Sequence, residues 1–283
     1  MPDPFLPQRP VVAVHPKMPE ALKEARAIAA FLKEKGLDAA TGSLYDEGLR
    51  RRVKNGDFDL LIALGGDGTM LRAAHLCAPS GVPILGINLG RLGFLIQVEH
   101  KDSRKSLLQL LHGKAWIENR MMLRVEHFRA GESKDISHAL NEAAVSRGQA
   151  LRPVRLSVDV DSRLLTTYVA DGLIAATPTG STAYALAAGG PILPPELRNI
   201  LIVPIAPHLS VDRAVVLSEG SAISIVIQSD NTVFSVDGQE PVGLAEGDRV
   251  NVRADEDTAQ FVRFGNPGYF YRNLTAHMNQ NSI

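Results

Sequence analysis

Over the first 115 residues, short continuous apolar runs alternate with stretches of helical periodicity, the texture of a parallel sheet covered by helices on both faces. Val11-Val12-Ala13-Val14 predicts a first strand. From Pro19 to Lys35 the apolar positions Leu22, Ala25, Ile28, Ala29 and Leu32 recur at three- and four-residue steps, and Gly36 supplies a stop, which predicts an amphipathic helix. Asp59-Leu60-Leu61-Ile62-Ala63-Leu64 predicts a buried strand running into Gly65-Gly66-Asp67-Gly68-Thr69. Helical spacing resumes from Met70 to Cys77, Val82 to Asn88 gives the next buried strand, and Arg104 to Leu111 a closing helix.

After Trp116 the period changes to two. Strict alternation runs through Arg155–Val160, Ala222–Ile227 and Arg249–Arg253, with turn residues between such segments, the pattern of half-buried antiparallel strands in a sandwich. One alanine-rich stretch, Thr182 to Ala188, interrupts it and predicts a helix capped by Ser181 or Thr182. The expected fold class is therefore α/β plus β: an α/β open-sheet domain over 1–116 and a β-sandwich-like, β-rich domain over 117–263. No flexible linker separates them, so the two are expected to pack together with the ligand in the cleft between.

Composition narrows the class. The chain has 283 residues, room for one large domain or two small ones at ~100–200 residues each. Its single cysteine, Cys77, excludes a disulfide scaffold and a multi-cysteine metal protein, and reads as a small core residue. Thirty Lys+Arg against 31 Asp+Glu leave a net charge of −1, which argues against wrapping nucleic acid or lying on an anionic membrane. The basic run Arg50-Arg51-Arg52 with Lys54 fits a solvated helix face. The opening MPDPFLPQRP has neither a basic start nor an apolar run, and no apolar stretch approaches the ~18–20 residues of a membrane span; a cytoplasmic protein is expected.

Two segments carry candidate chemistry. Gly65-Gly66-Asp67-Gly68-Thr69 lies where a strand ends and a helix begins, the ligand side of an open α/β sheet. Its glycines allow a tight turn and close backbone approach, and Thr69 can cap a helix whose free N–H groups favour phosphate. Asp67 is ill placed for plain phosphate binding but suited to magnesium handling or to taking a proton from an attacking hydroxyl. A Gly-Asp-Gly turn with Asp67 as a local cap fits the same pattern. The second segment, Asp171 to Tyr184, is a buried apolar run followed by the hydroxyl-rich Thr177-Pro178-Thr179-Gly180-Ser181-Thr182, able to hold ribose, amide or phosphate groups or simply to cap a helix. Asn141-Glu142 offers an amide for a base edge and a carboxylate for vicinal hydroxyls. Asp237-Gly238 reads as a hairpin turn after Thr232–Val236, and His208 as a loop or core histidine.

Together these residues resemble the NAD kinase family, ATP-dependent enzymes that phosphorylate NAD to NADP. The resemblance spans nearly the whole chain and rests on Gly65–Thr69, on Gly86-Ile87-Asn88 with Gly90-Arg91-Leu92-Gly93-Phe94-Leu95, on Asn141-Glu142, on Asp171–Tyr184 continuing through Ala188-Gly189-Gly190-Pro191, and on Val236-Asp237-Gly238-Gln239. It implies that Asp67 is the general base on the 2′-hydroxyl of the adenosine ribose, with Gly65, Gly66, Gly68 and Thr69 forming the phosphate loop. Gly68, Arg72, Phe94, Arg152, Ala206 and Gln239 would contact NAD. Asn141 and Glu142 would bind adenine and ribose, Asp171 the nicotinamide end, and Thr182, Ala183, Tyr184, Ala185, Leu186 and Ala187 would line the dinucleotide pocket. ATP, or polyphosphate as in some relatives, would be the phosphoryl donor with Mg2+, to which no dedicated protein ligands are assigned. A homodimer or homotetramer is implied, with residues 264–283 returning to the first domain. Leu89, Gln97, Val169, Ala187 and Leu209 depart from the commoner family pattern, which bears on NAD against NADH preference. The alternatives are a diacylglycerol- or sphingosine-type lipid kinase, which shares the glycine motif, and a dinucleotide-binding regulatory module without turnover.

Overall fold

The structure is a computed structural model that describes residues 5–15, 19–90, 93–149, 151–208, 212–268, 270–271 and 274. Arg91, Leu92 and Leu209, named above, lie outside the described residues. The chain forms two compact units, the first made of residues 1–120 and 257–283, the second of 121–256. The crossings fall inside strands, four residues beyond the expected boundary at 116 and seven short of that at 263. Sequence texture marks where the side-chain period changes, which need not be where the chain changes partners.

In the first unit β1 (Pro10–Val14), α1 (Pro19–Glu34), β2 (Ala40–Ser43), α2 (Glu47–Lys54), β3 (Leu60–Gly65), α3 (Asp67–Cys77) and β4 (Ile84–Asn88) alternate, followed by β5 (Val98–Glu99), α4 (Ser103–Leu111) and the start of β6 (Ala115–Arg129). The strands pair in parallel: β2 on β1, β1 on β3 and β3 on β4, with Gly65 opposite Asn88. Every residue of β1, β3 and β4 is buried, as their unbroken apolar runs require. Ala21, Ala25, Ile28 and Leu32 of α1 and Leu107 and Leu110 of α4 cover Val12, Val14, Leu60, Ile62 and Leu64. At Gly86 an added Cβ would meet the Met70 sulfur at 2.6 Å, so α3 lies close against β4. Cys77 is buried in α3, and that burial pushes its thiol far above the ordinary range, which leaves it inert. The α2 residues Arg50, Arg51, Arg52 and Lys54 are exposed.

The second unit continues β6 and adds β7 (Glu132–Ala139), β8 (Glu142–Arg147), β9 (Val154–Val160), β10 (Arg163–Ala170), β11 (Gly172–Ala176), α5 (Tyr184–Ala187), β12 (Asn199–Ile205), β13 (Val215–Ser218), β14 (Ile223–Ile227), β15 (Thr232–Val236), β16 (Val242–Leu244) and the first part of β17 (Arg249–Phe264). A six-stranded antiparallel sheet in the order β13-β12-β11-β8-β15-β16 stacks on the sheet that holds β9, β10, β14, β6 and β17. Leu123, Leu156, Val158, Ile225 and Val250 from one sheet meet Val145, Leu173, Ile202 and Phe234 from the other in a single core. Strand β11 is buried on both faces, because Ile174 and Ala176 pack outward against Ala185 of α5 while Leu173 and Ala175 face the sandwich core.

Two expected elements differ. The helix over Thr182–Ala188 is a 3-10 turn at Gly180–Thr182 followed by the four residues of α5. Ser181 cannot cap it because its hydroxyl donates to the Pro178 carbonyl and accepts from Leu193 N–H. Helix α3 starts at Asp67 with Gly66 as its N-cap, so Thr69 is a buried residue of the first turn and not the cap. No helix among the described residues is long and apolar enough to cross a membrane.

Candidate active site

Two loop clusters, one in each unit, gather the candidate residues. In the first unit, β3 delivers Gly65 and Gly66 to the carboxyl edge of the parallel sheet and α3 starts at once, with Asp67 as its first residue. Thr69 N–H and Met70 N–H both donate to the Gly66 carbonyl, which leaves the donors of Asp67 and Gly68 facing outward at the positive end of the helix. Gly68 is exposed and Asp67 half-buried.

After β4 the chain turns on Asn88, whose amide donates to Gly90 C=O and accepts from Gly90 N–H, and comes back over the glycine loop. There Phe94 N–H donates to Asp67 Oδ2 at 2.9 Å and Leu95 N–H to Oδ1 at 3.2 Å. The carboxylate is thus held from two sides by backbone, each oxygen keeping lone pairs for another donor. Gly93 makes this approach possible, because a Cβ there would fall on the Asp67 carboxylate itself. Arg72, one turn further along α3, is exposed, and its guanidinium sits over the Tyr45 ring at 5.0 Å.

In the second unit, three segments far apart in sequence converge. Asp237, in the turn after β15 with φ 48°, accepts the backbone N–H groups of Leu140, Asn141 and Glu142 at 2.7, 2.8 and 2.9 Å. Asn141 C=O accepts Thr177 N–H at 2.8 Å, and Leu140 C=O accepts the Thr177 hydroxyl. Gly180 presses on the Asn141 main chain so closely that a Cβ would overlap it. The Thr177–Tyr184 loop is therefore docked on the Asn141-Glu142 turn, and Asp237 fixes that turn from the other side.

Glu142 is 8% exposed, and its Oε2 has no hydrogen-bond partner among the described residues. Burial, and then the charge of Asp237, raise its carboxyl from the ordinary 4.5 to about 7, while the Tyr184 backbone N–H works in the opposite direction. A buried carboxylate oxygen that takes no donor from the protein is chemically suited to accept one from a ligand hydroxyl.

The remaining candidates are more scattered. Asp171 pairs with Arg147 Nε at 3.1 Å, and its main chain spans Arg147 N–H and Ile205 C=O. Thr182 and Ala183 are half-buried, Ala185 is buried, and Tyr184, Leu186 and Ala187 are exposed on α5. Gln239 N–H donates to Val236 C=O and closes the Asp237-Gly238 turn. Ala206, exposed with φ 44°, follows β12, and Arg152 is exposed in the loop before β9. His208, also exposed, donates its N–H to Val169 C=O. A cavity of about 520 Å3 bordered by Arg124, Asp159, Ser224, Asn251 and Arg253 contains none of these residues. No group of three or more His, Cys, Asp or Glu is placed to hold a metal ion among the described residues.

Sequence reasoning missed the clamp role of Asp237, which it read as a turn residue alone. The signal was present as an acid at the left-handed position before Gly238, but the same residue serves a plain turn equally well.

Comparison with known proteins covers both clusters. A family model described as the ATP-NAD kinase N-terminal domain matches residues 11–115, and one described as the ATP-NAD kinase C-terminal domain matches residues 140–264. An NAD kinase of Chloroflexus aurantiacus is 39% identical over 272 residues, 96% of this chain and 98% of that protein. An NAD kinase of Symbiobacterium thermophilum is 45% identical over 219 residues, 76% of this chain and 77% of that protein. Among solved structures, yeast NADH kinase complexed with NADH superimposes with a TM-score of 0.84 at 27% identity, covering 100% of this chain and 90% of that one. An NAD kinase from Archaeoglobus fulgidus in complex with ATP gives a TM-score of 0.75 at 28% identity, covering 95% of this chain and 97% of that one.

Proposed function

Since this chain belongs to the NAD kinase family, phosphotransferases that act on NAD, we propose that its loop clusters transfer the γ-phosphoryl group of MgATP to the 2′-hydroxyl of the adenosine ribose, forming NADP. The observation that carries this reading is the Asp67 carboxylate, fixed by the Phe94 and Leu95 amides at the start of a helix that follows a glycine loop. A ribose hydroxyl is too weak an acid to ionise beforehand. Asp67 orients it and accepts its proton as the oxygen attacks the γ-phosphorus and the bond to the bridging β–γ oxygen breaks, releasing ADP. The outward N–H groups of Asp67 and Gly68 at the α3 N-terminus stabilise charge on the phosphoryl oxygens. A magnesium ion accompanying ATP would supply charge neutralisation on the phosphates, and no group of three or more His, Cys, Asp or Glu among the described residues is placed to hold it. Gly65, Gly66 and Thr69 shape the phosphate loop.

On the acceptor side, Asn141 and Glu142 grip adenine and ribose, with the free Oε2 of Glu142 as the acceptor for a substrate hydroxyl. Asp171 serves the nicotinamide end and Thr182–Ala187 line the pocket, with Arg72, Phe94, Arg152, Ala206 and Gln239 as further contacts. The Asn141-Glu142 pair, with the Thr177–Tyr184 loop docked on it, favours a dinucleotide acceptor over the lipid of a diacylglycerol-type kinase, and a module that only binds has no use for a held base. Steady-state assays that pair NAD or NADH with ATP or tripolyphosphate test the proposal: NADP from NAD and MgATP is expected, and no product from any pairing would contradict it. The archaeal relative binds ATP and the yeast relative NADH, so these pairings also fix donor and redox form.

Two consequences are measurable. Gly93→Ala forces the carboxylate or its amide donors to move, and a displacement near 1 Å can cost ~10² in rate. The expected result is a kcat lowered by at least about tenfold, with KM and melting temperature little changed; an unchanged kcat would show that the Asp67 contact is dispensable. The second concerns pH. Glu142 titrates near 7 in the free protein and binds hydroxyls best when ionised, so kcat/KM for NAD should rise with pH through about 7 and level off above. Because its folded-state value is raised, the stability Glu142 contributes is complete below about 4.5 and is lost as pH rises through about 7. NAD should therefore raise the melting temperature more at pH 8 than at pH 6. Glu142→Gln should flatten both trends, and a profile unchanged by that substitution would remove Glu142 from the binding role.

A further inference from the structure

We propose that the buried Arg263–Glu118 ion pair is a positioning device for Asp67, acting through the segment Phe94–Gln97. This rests on the reading of Asp67 as the base.

The chain of contacts lies wholly within the first unit. Arg263, the penultimate residue of β17, is 1% exposed and donates from Nε to Glu118 Oε2 at 2.8 Å and from Nη1 to Leu95 C=O at 3.0 Å. Leu95 is the residue whose N–H reaches Asp67 Oδ1. Two residues on, Gln97 donates from its amide to Phe264 C=O at 2.8 Å and accepts from Phe264 N–H at 2.9 Å. Residues 95 and 97 are thus tied by three hydrogen bonds to the adjacent positions 263 and 264, while 94 and 95 are tied by two to Asp67. Leu95 and Ile96 are themselves buried, so the segment has little room to slide.

The chemistry of the pair suits the task. A guanidinium offers donors in a rigid planar fork and serves a carboxylate and a carbonyl at once, which a lysine ammonium on a flexible stem does not reproduce. Arg120 is a second ion-pair partner of Glu118, its Nε 2.8 Å from the same Oε2. Burial works to raise its carboxyl, but the charges of Arg263 and Arg120 outweigh that and keep it below the ordinary value, so the anchor stays ionised. A buried ion pair adds little net stability over apolar packing, and a role in fixing one arrangement of the neighbouring backbone accounts for placing one here.

A purely structural pair and a positioning pair differ in a double-mutant cycle. Arg263→Lys keeps the buried charge and its attraction to Glu118 but loses the fork to Leu95. It is expected to lower kcat about tenfold, with KM for NAD and ATP within about twofold, because what is lost is the placement of the base. Introduced into Asp67→Asn, where that placement no longer matters, it should cost less than about twofold. The same fold-loss in both backgrounds, or a normal kcat in Arg263→Lys alone, would overturn the proposal. Gln97→Leu, which leaves the ion pair intact and removes both bonds to Phe264, runs the same cycle if Arg263→Lys does not fold. Near-normal turnover by Asp67→Asn would instead overturn the base itself, so the two failures are distinguishable.

Discussion

Asp67→Asn is expected to lower kcat by at least ~10², the lower end of what a positioned base contributes, while KM for NAD and ATP stays within a few-fold. The carboxylate takes one amide N–H on each oxygen, from Phe94 and from Leu95. Asparagine has one carbonyl and one NH2, so one of those amides would face a donor and the side chain would rotate away. On the proposed role of Asp67, the substitution removes the proton acceptor and disturbs its seat together, and both losses fall on the chemical step. A companion melting curve should show the protein still cooperatively folded at the assay temperature, because Asp67 is half-buried at the start of α3 and one of its two amide bonds is kept. Turnover within a few-fold of the parent would remove Asp67 from the mechanism.

The second large effect is expected on substrate binding. Asp237→Ala leaves the N–H groups of Leu140, Asn141 and Glu142 without their acceptor and places alanine at φ 48°, a conformation that costs L-residues roughly 1–2 kcal/mol. Each hydrogen bond to a charged group is worth roughly 1.5–3 kcal/mol. Part of the loss will appear as a lower melting temperature and part as a loosened Asn141-Glu142 turn. We expect KM for NAD to rise about 10–10²-fold, since every ~1.4 kcal/mol is tenfold in binding. Asp237→Asn tolerates the left-handed turn and keeps one acceptor, so it should fall between the parent and alanine. It also carries a signature of its own. The Asp237 charge is the second cause of the raised Glu142 carboxyl, so removing it should move the pH midpoint of kcat/KM for NAD below about 7. An unchanged KM in Asp237→Ala would mean that this turn does not bind the dinucleotide.

Much of the parallel sheet was legible because β1, β3 and β4 are buried on both faces and leave unbroken apolar runs in the sequence. Strand β15 matches the expected Thr232–Val236 to the residue, since its burial alternates cleanly and Asp237-Gly238 ends it. Strand β17 was expected only over Arg249–Arg253. It runs on to Phe264 through Ala254–Gln260, where the polar run Asp255-Glu256-Asp257-Thr258 breaks the apolar alternation although Asp255 and Ala259 are buried. The Thr182–Ala188 helix failed for the opposite reason: alanines carry high helix propensity, but Gly180 and Ser181 are committed to the Asn141 turn and to Leu193, and the backbone is bent to suit them. The site followed the same rule. Gly65–Thr69 is local and could be read as strand, loop and helix start. The Asp237 clamp spans 95 to 97 residues of sequence and Arg263–Glu118 spans 145, and no local pattern encodes such contacts.

The most direct test follows the phosphorus. Purified protein is incubated with NAD, magnesium and ATP labelled at the γ-phosphate, and the products are separated and treated with an NADP-specific dehydrogenase. The account predicts label in the 2′-phosphate of NADP, in step with the NADP that the dehydrogenase reduces, and its loss in Asp67→Asn. ATP consumed without label entering the dinucleotide would contradict it.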